Sequence, residues 1–102
     1  MYKKAYILVF EKDGIDINQL HSAIEAHYNN GSIANWWHFI KTCYILISNK
    51  TADDLAKSIG NSIVSEKTFL LIEVNMNNRQ GWLNEEAWKW INDNKVNPFS
   101  SY

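Results

Sequence analysis

Four strand-sized apolar runs and three amphipathic segments alternate in the order β-α-β-β-α-β-α, which predicts an α+β chain. The first six elements match the split βαβ arrangement, so the expected fold is a ferredoxin-like βαββαβ sandwich with an added C-terminal helix. At 102 residues the chain has the length of one domain, and it is large enough to bury about two-thirds of its unfolded surface. The expected organisation is a single domain over residues 1–95 and a frayed polar tail over residues 96–102 around the lone proline, Pro98.

Ala5 to Phe10 is rich in β-branched and aromatic residues and predicts the first strand, with Asp13-Gly14 ending it. Asp16 is placed to N-cap the helix that follows, with Gln19 three residues on and Ile15 and Leu20 at the hydrophobic-staple positions. Leu20, Ala23, Ile24, His27 and Tyr28 then recur at helical spacing, and Gly31 can take the positive φ of a helix stop. Ile33 to Phe39 and Thr42 to Ser48 predict a hairpin with its connection near Ile40-Lys41. Thr51 caps a second helix with Asp53 and Asp54 at the positive end of its dipole and Leu55, Ile59 and Ile63 as its apolar stripe. Thr68 to Val74 predicts a fourth strand. Asn84, followed by Glu85 and Glu86, starts a third helix that carries Ala87, Trp88, Trp90 and Ile91.

Right-handed crossovers place the first two helices on one sheet face. Such a sheet should alternate apolar and polar residues, yet these strands are apolar on both sides. Ala5, Ile7 and Val9 oppose Tyr6, Leu8 and Phe10, and the later strands repeat the pattern. The second face therefore needs a cover: the tryptophan-bearing third helix, or the sheet of a second copy in a symmetric homodimer.

Composition excludes several classes. Hydrophobic residues make up 46% and aromatics 14%, too much for a disordered chain. No apolar run approaches the ~18 residues of a membrane span. The net charge of −1 is not that of a generally basic nucleic-acid binder. Cys43 is the single cysteine, so no disulfide framework is expected. With no secretion signal at the start of the sequence, the expected location is the cytoplasm.

The densest aromatic feature is Asn35-Trp36-Trp37-His38-Phe39. On a strand, Trp37 and Phe39 share one face while Trp36 and His38 share the other. Two aromatics per face fit a sheet buried on both sides better than a base-stacking platform, although Lys41 lies close by for a phosphate. Trp82, Trp88 and Trp90 are expected to pack around the third helix, as core or dimer aromatics together with Trp36, Trp37, His38 and Phe39. His21 and His27 sit six apart on one helix and face different ways, so with His38 and Cys43 they make poor metal-site spacing. His27 is expected to be a hydrogen-bonded core residue and Cys43 an inert buried thiol. Glu11 and Asp13, near the first strand's end, are the only candidate metal ligands, and both also suit a solvated loop. No phosphate loop, dinucleotide fingerprint or nucleophile elbow occurs. Lys12, Lys41 and Arg79, the sole arginine, are the candidate ligand contacts.

Three blocks carry a family resemblance: Tyr6 to Phe10 with its turn; Trp36-Trp37-His38 leading to Tyr44 to Ile47; and Gly81-Trp82-Leu83 with Ala87-Trp88 and Trp90-Ile91. Over residues 5–93 the chain resembles the small bacterial SinR-like proteins, which are distinct from the helix-turn-helix regulator of similar name. That family looks related to the small endoribonuclease-like proteins of CRISPR adaptation. The resemblance implies a ferredoxin-like homodimer with a loose link to nucleic acid or phage defence. In the CRISPR relatives a Tyr-Asp pair ends the first strand and its Asp is the proposed metal ligand; here Phe10-Glu11 stands in that place.

The expected function is a homodimeric binding module without catalysis, which engages nucleic acid, a nucleotide or a protein partner across the dimer groove, with no cofactor. One alternative is a phosphodiesterase that uses Glu11 with Mg²⁺ or Mn²⁺. Another is a purely structural or regulatory interaction module.

Overall fold

The computed structural model describes residues 3–94 apart from Ser65 and Asn78, with the backbone alone at Phe39. The tail expected over residues 96–102 lies outside the described residues. Seven elements follow in order: β1 (Lys4–Ile15), α1 (Ile17–Asn29), β2 (Asn35–Ile40), β3 (Cys43–Ser48), α2 (Ala52–Asn61), β4 (Lys67–Val74) and α3 (Glu85–Asn94). The four strands form one antiparallel sheet in the order β2-β3-β1-β4. The architecture is α+β, a four-stranded antiparallel sheet with three helices.

The helix starts form where their caps require. Asp16 Oδ1 accepts from the backbone N–H groups of Asn18 (2.9 Å) and Gln19 (3.3 Å), and Thr51 Oγ1 accepts from Asp54 N–H (3.2 Å). Asn84 Oδ1 accepts from Ala87 N–H at 2.8 Å. Each cap satisfies donors that the first helical turn leaves unpaired, worth about 1 kcal/mol. Gly31, at φ +87°, takes the left-handed conformation that ends α1 after its C-cap, Asn30.

The sheet buries both faces unequally. On one face Tyr6, Leu8, Phe10, Tyr44 and Leu46 pack with Leu20 and Ile24 of α1 and Leu55 and Ile59 of α2. On the other, Ala5, Trp37, Ile45 and Ile47 pack with Met76 and with Ala87 and Ile91 of α3. Trp36 and Trp37 thus go to opposite clusters, as the strand alternation predicts. The third helix covers only part of the second face. Val9 (43% exposed), Leu70 (57%) and Ile72 (46%) remain open, and they are contiguous because Val9 pairs with Leu70 while Ile72 pairs with Ile7 on the adjoining rung.

Several expectations need correction. Asp13-Gly14 does not end the first strand. β1 runs on to Ile15, which pairs with Lys67, and residues 11–14 form an excursion between the Phe10↔Phe69 and Ile15↔Lys67 pairs. Ile15 reaches the core, and burying it favours return to the sheet over a free loop. β2 starts at Asn35 rather than Ile33; Ile33 is buried beneath α1, its N–H bonded to the His27 carbonyl at 2.9 Å. Trp82 is 98% exposed and joins neither cluster, whereas Trp88 and Trp90 pack against the second. Tyr28 is exposed despite its place in the α1 pattern; His27 is hydrogen-bonded as expected, its Nε2 3.0 Å from the Ser58 carbonyl, but it and Cys43 are half-buried rather than core.

Candidate functional site

Two irregularities, in the strands on either side of β3, flank a cleft at one end of the sheet. The first is the excursion of β1 at residues 11–14. The second is in β2, where three residue steps from Trp37 to Ile40 oppose two from Ile45 to Cys43. That extra residue is a β-bulge, which bends a strand and re-aims its side chains. Between them lies a cleft of about 420 Å³, lined by Phe10, Lys12 and Asp13 of β1, Ile17 of α1, His38 of β2, and Lys41 and Thr42 of the β2–β3 connection. Its size falls within the range of small-ligand sites.

The wall of the cleft is aromatic and held in place. The His38 ring stacks on Tyr44 with centroids 3.8 Å apart and planes 17° from parallel. Its Nε2 lies 3.0 Å from the Lys41 carbonyl. A carbonyl only accepts, so Nε2 carries the proton and the ring is fixed against the hairpin turn. Phe10 lies 6.3 Å from His38 and 6.1 Å from Tyr44, tilted to both.

Behind that wall, Tyr44 is fully buried and 2.9 Å from His21 Nδ1, whose Nε2 is 2.9 Å from Glu25 Oε1. The carboxylate accepts from Nε2–H, which leaves Nδ1 of the neutral ring to accept the phenol proton. Burial, reinforced by the Glu25 charge, pushes the Tyr44 phenol up to about 12. Tyr44 therefore stays neutral and acts as a buried strut between β3 and α1 that backs His38. Trp36 closes the array edge-on to His21 at 5.2 Å.

The polar groups at the rim are uncommitted. Among the described residues, the side chains of Lys12, Asp13 and Lys41 make no hydrogen bond or ion pair. Two ammonium groups and one carboxylate thus share the cleft with an aromatic wall. The structure brings together Lys12 and Lys41 of the three expected ligand contacts and leaves Arg79 out. Arg79 Nη1 donates to the Met76 carbonyl at 2.9 Å and Nη2 to Asn92 Oδ1, so its guanidinium ties the β4–α3 loop to α3. Of the proposed metal ligands, Asp13 lines the cleft, and Glu11 is exposed and outside its lining. Among the described residues, no group of three His, Cys, Asp or Glu side chains could hold a metal ion. Cys43 lies on β3, outside the cleft lining, and burial pushes its thiol up, which disfavours the thiolate.

His38 and Phe10 line the cleft although the strand pattern accounts for both by packing alone. His38 lies on the same face as Trp36, as strand alternation requires, whereas the bulge beside it is a property of cross-strand register with no signature in the local sequence. No family model matches the chain, and no curated protein or solved structure matches it. Among the described residues, no helix is long and apolar enough to cross a membrane.

Proposed function

We propose that this protein is a ferredoxin-like, homodimeric binding module whose cleft engages a nucleotide or a short stretch of single-stranded nucleic acid. The observation that carries this reading is the convergence of Lys12 and Lys41, with free side chains, beside the Phe10–His38 wall. Ammonium groups for phosphate beside an aromatic face for a base are the two parts that single-strand recognition combines. The ferredoxin-like assignment is supported by the order β2-β3-β1-β4 with α1 and α2 packed in one cluster on one face. The dimer is supported by the open strip of Val9, Leu70 and Ile72, which a second sheet would cover. The SinR-like resemblance, with its link to CRISPR-adaptation proteins, agrees with a nucleic-acid partner and rests on the sequence blocks alone.

Fluorescence anisotropy with a labelled single-stranded RNA of about ten nucleotides tests the reading. Binding that weakens with salt is expected. Replacing both Lys12 and Lys41 with alanine should remove two phosphate contacts and flatten the slope of log K against log salt by about 1.4. Binding of unchanged strength and slope in the double variant would refute the assignment of the cleft. Replacing Arg79 should leave the slope where it was.

A further inference from the structure

We infer that Asp13 makes the cleft selective for guanine, an inference that rests on the nucleotide-binding reading above. The cleft holds a carboxylate where a phosphate binder would be expected to hold only cations. Asp13 has no partner among the described residues, even though two lysines line the same cleft. An ionised carboxylate only accepts hydrogen bonds, so its ligand must present donors. It also repels phosphate. The phosphate therefore goes to Lys12 and Lys41, and Asp13 meets the base held against Phe10 and His38.

The four bases differ in what they offer. Guanine presents N1–H and the N2 amino group side by side, two parallel donors that match the two oxygens of one carboxylate, as an arginine fork does. Adenine presents its N6 amino group beside N1, an acceptor that repels the carboxylate. Cytosine does the same with its N4 amino group beside N3. Uracil has one N–H between two carbonyls. Only guanine pairs with Asp13 in bidentate fashion without an opposed acceptor.

Calorimetric titration of the full chain at low salt with the 5′-monophosphates of guanosine, inosine, adenosine, cytidine and uridine is the test. The guanosine nucleotide should bind about tenfold more tightly than the adenosine nucleotide. The inosine nucleotide, which keeps N1–H and lacks the N2 amino group, should fall between them. Asp13→Asn exchanges one acceptor for a donor at an exposed position and should abolish this ranking, with its melting temperature confirming an intact fold. Equal affinity for guanosine and adenosine nucleotides overturns the base preference and leaves the binding reading standing. A preference that survives Asp13→Asn overturns the role of Asp13. Absence of binding by all five nucleotides overturns the binding reading and the preference together.

Discussion

Gly14→Ala should destabilise the protein by about 0.5–2 kcal/mol, because the β1 excursion that carries Lys12 and Asp13 is packed directly against β4. A Cβ built on Gly14 would lie 2.9 Å from Thr68 Cβ, 3.1 Å from Thr68 Oγ1 and 3.3 Å from Glu11 Cβ. Carbon atoms in ordinary contact sit about 3.5–4.0 Å apart. Rotating the threonine about χ1 moves Oγ1 but not Cβ, so relief requires the backbone of β1 or β4 to shift. Overpacking of this kind costs about 1–3 kcal/mol. Alanine also restricts the unfolded chain, which restores about 0.4–1 kcal/mol. The clash is the larger effect. At about 4–8 °C per kcal/mol, the melting temperature should fall by several degrees in a thermal scan followed by circular dichroism. Adding Thr68→Gly removes the opposing Cβ. In a double-mutant cycle, Gly14→Ala should then cost at least 1 kcal/mol less than it does beside Thr68, an order-of-magnitude figure. A single Gly14→Ala variant as stable as the parent would refute the close packing of the excursion, and with it the geometry that places Lys12 and Asp13 at the cleft.

Tyr44→Phe should cost about 1 kcal/mol by removing the hydrogen bond to His21, read as a lower urea midpoint. The same substitution should change the alkaline limb. The folded phenol, at about 12, lies above its unfolded value near 10, so its contribution is complete below pH 10 and is lost as pH rises to about 12. Stability measured across that interval should fall less steeply in Tyr44→Phe than in the parent. Ser48→Ala should cost about 1–3 kcal/mol, since the buried hydroxyl donates to the Ser32 carbonyl (2.6 Å) and accepts from Lys50 N–H (3.1 Å). Trp82→Ala should leave stability within about 0.5 kcal/mol, whereas Trp37→Ala should cost about 3–5 kcal/mol, a contrast that one pair of denaturation curves resolves. In the proposed homodimer, Leu70→Asp should leave only monomer in sedimentation velocity, because it places a charge in the middle of the open strip.

The elements of this fold were legible because each has a local cause. Asp16, Thr51 and Asn84 cap the three helices as their positions announce, and Leu20, Ala23 and Ile24 of α1 with Leu55 and Ile59 of α2 reach the core as the spacing requires. The two-sided apolarity of the strands was legible too, and α3 covers part of the second face as one of the two expected covers. What failed was local reading of non-local features. Asp13-Gly14 carries the composition of a turn, yet burial of Ile15 and its pairing with Lys67 keep the chain in the sheet. Trp82 is as hydrophobic as Trp88, but only position on α3 distinguishes a packed tryptophan from an exposed one. Lys12 and Lys41 were each legible as candidate contacts. Their convergence was not, because it depends on register shifts in β1 and β2, two strands that β3 separates. Arg79 lies apart from that cleft, because its loop folds back on α3 and its guanidinium bonds to the Met76 carbonyl and Asn92 there.

The measurement that bears most directly on the cleft is a titration of isotope-labelled protein with guanosine 5′-monophosphate, followed residue by residue through backbone amide chemical shifts. The account predicts that saturable shifts concentrate at Phe10, Lys12, Asp13, His38 and Lys41, with α3 and the Arg79 loop unmoved. Shifts centred on α3 or on the Arg79 loop, or a spectrum that does not respond, would contradict it.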